Sequence, residues 1–209
     1  MKFFKKILTI AALTALPAVV QAQIPLTSLT ISNSGPGRVV AGGNGGRFEA
    51  VAIGPMLSPS PQNILVFCVE QDRFFTPGTT YTNYQVFTFT QFLALNYRGV
   101  DTMGDLNQMV NNAGIISLGA GAAANTAQND SWAVMAGTSD YPAATANTAG
   151  WYVLSNAVKS VDKNGGVSWS GNQTFIARVA VPEPSSFAIM TVGLVGLGLV
   201  GRRRRSINS

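Results

Sequence analysis

The chain has 209 residues, of which 14 are basic and 9 acidic, with one cysteine and no histidine. The missing histidine excludes Ser-His-Asp catalysis, His-ligated zinc and histidine-bearing iron triads, and a lone Cys68 excludes an intrachain disulfide. The formal charge of +5 belongs to the ends: Lys2, Lys5, Lys6 and Arg202 to Arg205 leave seven basic against eight acidic residues between 23 and 181, so no nucleic-acid surface is implied.

Lys2, Lys5 and Lys6 precede an apolar run from Ile7 to Val20, and Val20-Gln21-Ala22 supplies small residues for cleavage after Ala22. The pattern predicts a Sec-type signal peptide over 1–22 and a mature chain that starts at Gln23. The Sec translocon and signal peptidase are the partners it implies. An uncleaved N-terminal anchor is the alternative, and Pro17 and the Val-Gln-Ala site argue against it.

The body, 23–181, is poor in charge and rich in Gly, Ala, Ser, Thr and Asn, and is long enough for one domain with a core. Leu26 to Ile31 alternates and predicts a first strand. Ser34 to Gly46 is a Gly-rich loop; it lacks the Lys-Ser or Lys-Thr that enters a helix in a phosphate loop. Arg47 to Ile53 predicts a second strand, and the prolines of Pro55 to Pro61 a loop. Ile64 to Glu70 is the most apolar strand, expected to be central. Tyr81 to Phe92 predicts a strand passing into a short helix at Phe92 to Tyr97. Asp105 to Asn112 and Ala122 to Ala136 predict helices linked by Gly114 to Gly121, and Thr148 to Ser160 a further helix, with Trp151, Leu154 and Val158 at helical spacing. Asp162 to Gly166 is a hairpin turn leading into a strand at Val167 to Trp169, and Thr174 to Val181 is the closing strand. Strands at both ends with helices between them make the expected class α+β, a β-rich exported domain with a helical insertion.

After Val181, Pro182 and Pro184 fix φ and lack an amide hydrogen, so no strand or helix runs through Pro182-Glu183-Pro184. The uncharged run 185–201 would span roughly 25 Å as a helix, the short end of a bilayer crossing. Arg202, Arg203, Arg204 and Arg205 close it, and such a cluster stays cytoplasmic, which places the body outside. These three elements in order resemble the PEP-CTERM sorting signal of Gram-negative bacteria. The resemblance implies that 182–209 is a sorting segment, that exosortase recognises and processes it, and that the inner membrane holds the chain transiently. It further implies a final place at the cell surface or in the extracellular matrix, in association with exopolysaccharide and biofilm. A permanent single-span anchor with a stiff proline spacer is the alternative.

Cys68 stands in Phe67-Cys68-Val69-Glu70, and Gln128 stands four residues before Trp132 in Ala127-Gln128-Asn129-Asp130-Ser131-Trp132. Together these resemble the Cys-Gln thioester domains of bacterial surface adhesins, with Ser131 where that pattern has an apolar residue. The resemblance implies a bond from the Cys68 sulfur to the Gln128 side chain, shielded by the Trp132 indole and able to acylate an amine or hydroxyl on a target surface. The competing reading makes Cys68 a small core hydrophobe and Trp132 a core aromatic. Glu70 and Asp72 share a strand face by period two, and Arg73 beside them is expected to form a solvated surface pair. Asp101 and Asp105 flank a glycine but lack the other ligands of a calcium loop. The expected protein is therefore non-enzymatic, without metal or cofactor.

Overall fold

In a computed structural model, residues 24–32, 45–142 and 148–181 are described. The expected signal peptide with its cleavage residue Ala22, most of the Gly-rich loop, and the tail with Pro182, Glu183, Pro184, the apolar run 185–201 and Arg202 to Arg205 lie outside them. Among the described residues no helix is long and apolar enough to cross a membrane.

The strands are β1 (Ile24–Pro25), β2 (Ser28–Ile31), β3 (Arg47–Ile53), β4 (Gln62–Cys68), β5 (Thr80–Tyr81), β6 (Gln85–Phe87), β7 (Trp151–Ser155), β8 (Val158–Val161), β9 (Val167–Ser170) and β10 (Phe175–Arg178). The helices are α1 (Phe89–Leu93), α2 (Met103–Ser117) and α3 (Ala122–Met135), all inserted between β6 and β7. The body is thus β-rich with a few helices.

The main sheet runs β1-β6-β7-β10-β4-β3-β2-β5, with every pairing antiparallel. Its two ends are joined by one short piece of chain. β1 pairs with β6 and β2 with β3, and between them Leu26 N donates to Tyr84 O (2.9 Å) and Thr27 N to Ile53 O (2.7 Å). β1 and β2 therefore act as one bent strand that closes the sheet into a barrel, which removes the open edges. Phe48, Ala50 and Ala52 of β3 point inward while Glu49, Val51 and Ile53 stay exposed. Leu29, Ile31, Val66, Val86, Leu154 and Phe175 join them in a buried interior, and burying each large side chain contributes about 1.5–3 kcal/mol.

The helices cover the outer surface of β6, β7, β10 and β4. Phe92, Leu106, Met109 and Met135 pack on Phe87, Val69, Val153 and Ile176, while Ala113, Ile116, Ala124 and Ala127 pack on Phe67. Two capping boxes fix where helices begin. Thr88 and Gln91 start α1 at Phe89, three residues before the expected Phe92, and Thr102 and Asp105 start α2 at Met103. α2 also runs past the expected Asn112 through Gly114, because Ala113 and Ile116 continue its apolar face.

The expected helix over Thr148 to Ser160 is instead β7 and β8. Val153 faces the helices and Leu154 the barrel interior, so β7 is buried on both sides and shows no alternation. The first strand is shorter than expected and broken at Leu26–Thr27, where the chain changes partner. The turn at Asp162 to Gly166 forms as expected: Asp162 Oδ1 accepts from Asn164 N (2.8 Å) and Gly166 N (2.7 Å), which joins β8 to β9.

Candidate functional site

Three clusters and a trio of aspartates carry the candidate residues. The first joins Cys68, Gln128 and Trp132. α3 lays Gln128 and Trp132 on one face, and both contact Gly45: a Cβ there would sit 2.5 Å from Trp132 Cζ2 and 2.7 Å from Gln128 Cδ. Gln128 Nε2 donates to the backbone carbonyl of Cys68 (2.8 Å), and Cys68 N donates to Gly46 O (3.2 Å). The fold therefore brings the two motifs together across 60 residues. The thiol takes another direction. Cys68 pairs with Phe175, and both belong to the barrel interior with Val66, whereas Phe67 points out to α2 and α3. Burial, and then the negative charge of Glu70, push the Cys68 thiol well above its ordinary range and keep it protonated. Gln128 Oε1 and Trp132 Nε1 are both buried without a hydrogen-bond partner. Ser131 is buried too; its hydroxyl donates to Ala127 O (3.1 Å) and accepts from Asn112 Nδ2 (3.1 Å), so its polarity is absorbed within the helices.

The second cluster centres on Glu70, just beyond β4, and corrects the expected solvated pair. The Glu70 side chain is wholly buried. Its Oε1 accepts from Tyr97 Oη (2.6 Å), with Arg73 Nε at 3.2 Å and Arg98 Nε at 3.4 Å, and its Oε2 accepts from Thr174 N (2.6 Å). Arg73 reaches the carbonyls of Trp169 (2.6 Å) and Gly171 (2.8 Å), which ties β9 to the barrel. Arg98 forks onto Asp72 at 2.7 and 2.9 Å, and Asp72 is the solvated member of the group. The hydrogen bonds from Arg98 hold the Asp72 carboxyl below its usual range. Burial, and then the Glu70 charge, push the Tyr97 phenol up. A recess of about 180 Å³ beside Arg98 and Trp132 is smaller than the roughly 300 Å³ at which small-molecule pockets begin. Period two does not predict this cluster, because Tyr97, Arg98 and Thr174 come from distant segments.

Asp101, Asp105 and Asp140 are, among the described residues, the carboxylates close enough to share a metal, within 4.8 Å of one another. Both Asp105 oxygens are already engaged: Oδ2 accepts from Asp101 N (3.3 Å) and Thr102 N (3.0 Å), and Oδ1 from Tyr141 N (3.1 Å). The buried member of the trio is a helix cap.

The third cluster lies where the chain leaves the barrel. Beyond β10, Ala180 N donates to Gln62 Oε1 (3.0 Å) and Gln62 Nε2 donates back to Ala180 O (2.7 Å). Ser58 N adds a bond to the same carbonyl (3.2 Å), and Val181 packs against the barrel interior. The sequence carries no signal for this clasp, whose partners lie 118 residues apart.

Residues 180–205 match the PEP-CTERM protein-sorting motif. The match includes Val181, Pro182, Glu183, Pro184 and Arg202 to Arg205, and it marks the tail as the signal of an exported protein processed by exosortase. No curated protein and no solved structure matches the chain.

Proposed function

We propose that the chain is a non-enzymatic surface or extracellular-matrix protein, exported by the Sec route, held briefly in the inner membrane by its tail, and released by exosortase to associate with exopolysaccharide in a biofilm. One observation carries this reading. The last barrel strand ends at Arg178, and Ala180 and Val181, the first two matched residues of the motif, are still held against the body, so the described fold is complete at Val181, just before Pro182-Glu183-Pro184. A tail so placed can be removed without taking any part of the core with it. Replacing Pro182, Glu183 and Pro184 by alanine in the native host should leave unprocessed precursor in the inner membrane and none in the matrix. Normal release of that variant would refute the sorting route, and equal matrix retention in a strain without exopolysaccharide would refute the matrix role.

A second reading, a covalent adhesin, is favoured by the Gln128 amide lying against the Cys68 peptide and by the unpartnered Gln128 Oε1. The Cys68 thiolate would attack Gln128 Cδ, forming a C–S bond while ammonia leaves with the thiol proton. The thiol would first have to turn from the barrel interior toward α3. Formation would lower the intact mass by about 17 Da, and methylamine would then add to the chain. A full sequence mass with one titratable thiol excludes this reading.

A further inference from the structure

The clasp at Ala180 bears on how the tail is cut. Gln62 is the first residue of β4, and its carboxamide pairs with both the N–H and the C=O of Ala180, as a neighbouring strand would. Gln62 is itself buried while Ala180 is exposed, so the pairing is sheltered from water on the Gln62 side only. The residues before it are equally engaged: Phe175 to Ala177 pair with β4, Phe175 to Arg178 pair with β7, and Val179 N donates to Gly150 O (3.1 Å). Val181 is partly buried against the barrel interior, and its N–H closes a local turn onto Val179 O (3.1 Å). Phe175 to Ala180 are thus hydrogen-bonded to the body and Val181 packs on it, and among the described residues the clasp is the last side-chain hydrogen bond before Pro182.

A peptidase that binds its substrate as an extended strand needs free backbone N–H and C=O groups on the segment it takes. Ala180 has neither to offer while Gln62 holds it. We propose that Gln62 is a positioning residue for tail processing: it withholds Ala180 and the residues before it from the peptidase, so that the cut falls C-terminal to Val181. In that cut one peptide C–N bond breaks, the upstream carbonyl carbon passes to water or another nucleophile, and the tail leaves as an amine carrying that nucleophile's proton. This proposal rests on the sorting reading for its enzyme, while the clasp itself can be read without that enzyme.

The test has two arms. The full-length precursor, purified in detergent, is subjected to limited proteolysis with a nonspecific protease, and the cuts are mapped by mass. The native chain should resist cutting over 178–181, and Gln62→Ala should be cut there at least about fivefold faster, as expected when two hydrogen bonds are lost. Gln62→Glu keeps the volume and the acceptor but loses the donor, and should fall between the two. Cutting in the Asp162 to Gly166 turn serves as the internal reference and should not change, which separates a local release from general unfolding. In the native host, the mature native protein should end at Val181 or beyond, and Gln62→Ala should yield ragged ends that reach upstream of it. Equal cutting over 178–181 in all three proteins overturns the proposal, as does a native mature end before Val181. If the same mature end forms in a host lacking exosortase, the sorting reading fails, and the detergent arm still decides the clasp.

Discussion

The side-chain amide of Gln128 donates to the main-chain carbonyl of Cys68 at 2.8 Å, while the Cys68 side chain sits in the barrel interior with Phe175. The two residues touch through the backbone of one and the side chain of the other. This separates nearness in space from nearness of the reacting atoms. A buried, protonated thiol is a poor nucleophile. Cys68 should therefore resist maleimide and iodoacetamide in the folded protein at mildly alkaline pH and react fully once urea unfolds the chain. Rapid labelling of the folded protein would show that the thiol reaches solvent.

At Gly45 the side chains of α3 lie tightly against the strand-side backbone. An added methyl would overlap Trp132 Cζ2 at 2.5 Å, on a rigid ring, and Gln128 Cγ at 2.9 Å, in mid-chain, so neither neighbour can simply swing aside. Gly45→Ala should destabilise the body by about 1–3 kcal/mol through overpacking. Urea unfolding of the two proteins measures this as a shift in midpoint at constant slope. An unchanged midpoint would mean that α3 can retreat from Gly45 at little cost.

The strands with one wet face were legible in the sequence. β3 reads directly from Phe48, Ala50 and Ala52 alternating with Glu49, Val51 and Ile53, because only one side is covered. β7 was not legible, since Val153 and Leu154 are buried on opposite sides and the Trp151, Leu154, Val158 spacing then imitates a helix. Barrel closure was hidden for a different reason. It depends on Leu26 and Thr27 pairing with Tyr84 and Ile53, and no local pattern encodes a change of partner in mid-strand. The Cys68 and Gln128 motifs were legible as neighbours, but the side of the sheet that the thiol faces follows from register with Phe175. The Gln62 clasp depends on a residue far away in the chain, and the burial of Glu70 rests on Tyr97, Arg98 and Thr174 from distant segments beside the nearby Arg73.

Glu70 fastens the barrel end to the segment carrying Tyr97 and Arg98. Removing its carboxylate would strand the Tyr97 hydroxyl, the Thr174 amide and two guanidinium groups, all of which now face it. Glu70→Ala should cost about 3–5 kcal/mol, the range for breaking a buried ion pair from one side. Glu70→Gln keeps the volume and one acceptor and should cost less. Thermal unfolding of both variants checks the order, and equal losses would mean that packing, not charge, holds this junction.

Asp72 tests the opposite limit. Its side chain is 63% exposed although it forks onto Arg98, so screening by water and salt leaves Asp72→Asn an expected loss of under about 1 kcal/mol. The hydrogen bonds from Arg98 lower its folded-state pKa, so the folded form binds the proton less readily than the unfolded chain does. The stabilisation is therefore fully present above the unfolded value, about 3.9, and is lost as the pH falls through the folded one. Between neutral pH and about pH 5 the stability difference between native and Asp72→Asn proteins should be flat, and it should shrink toward zero in more acidic solution and in high salt. Stability measured by urea unfolding across this range, at two salt concentrations, decides the matter. A difference that grows on acidification would mean that Asp72 is not the group Arg98 depends on, and that the guanidinium is held by Glu70 alone.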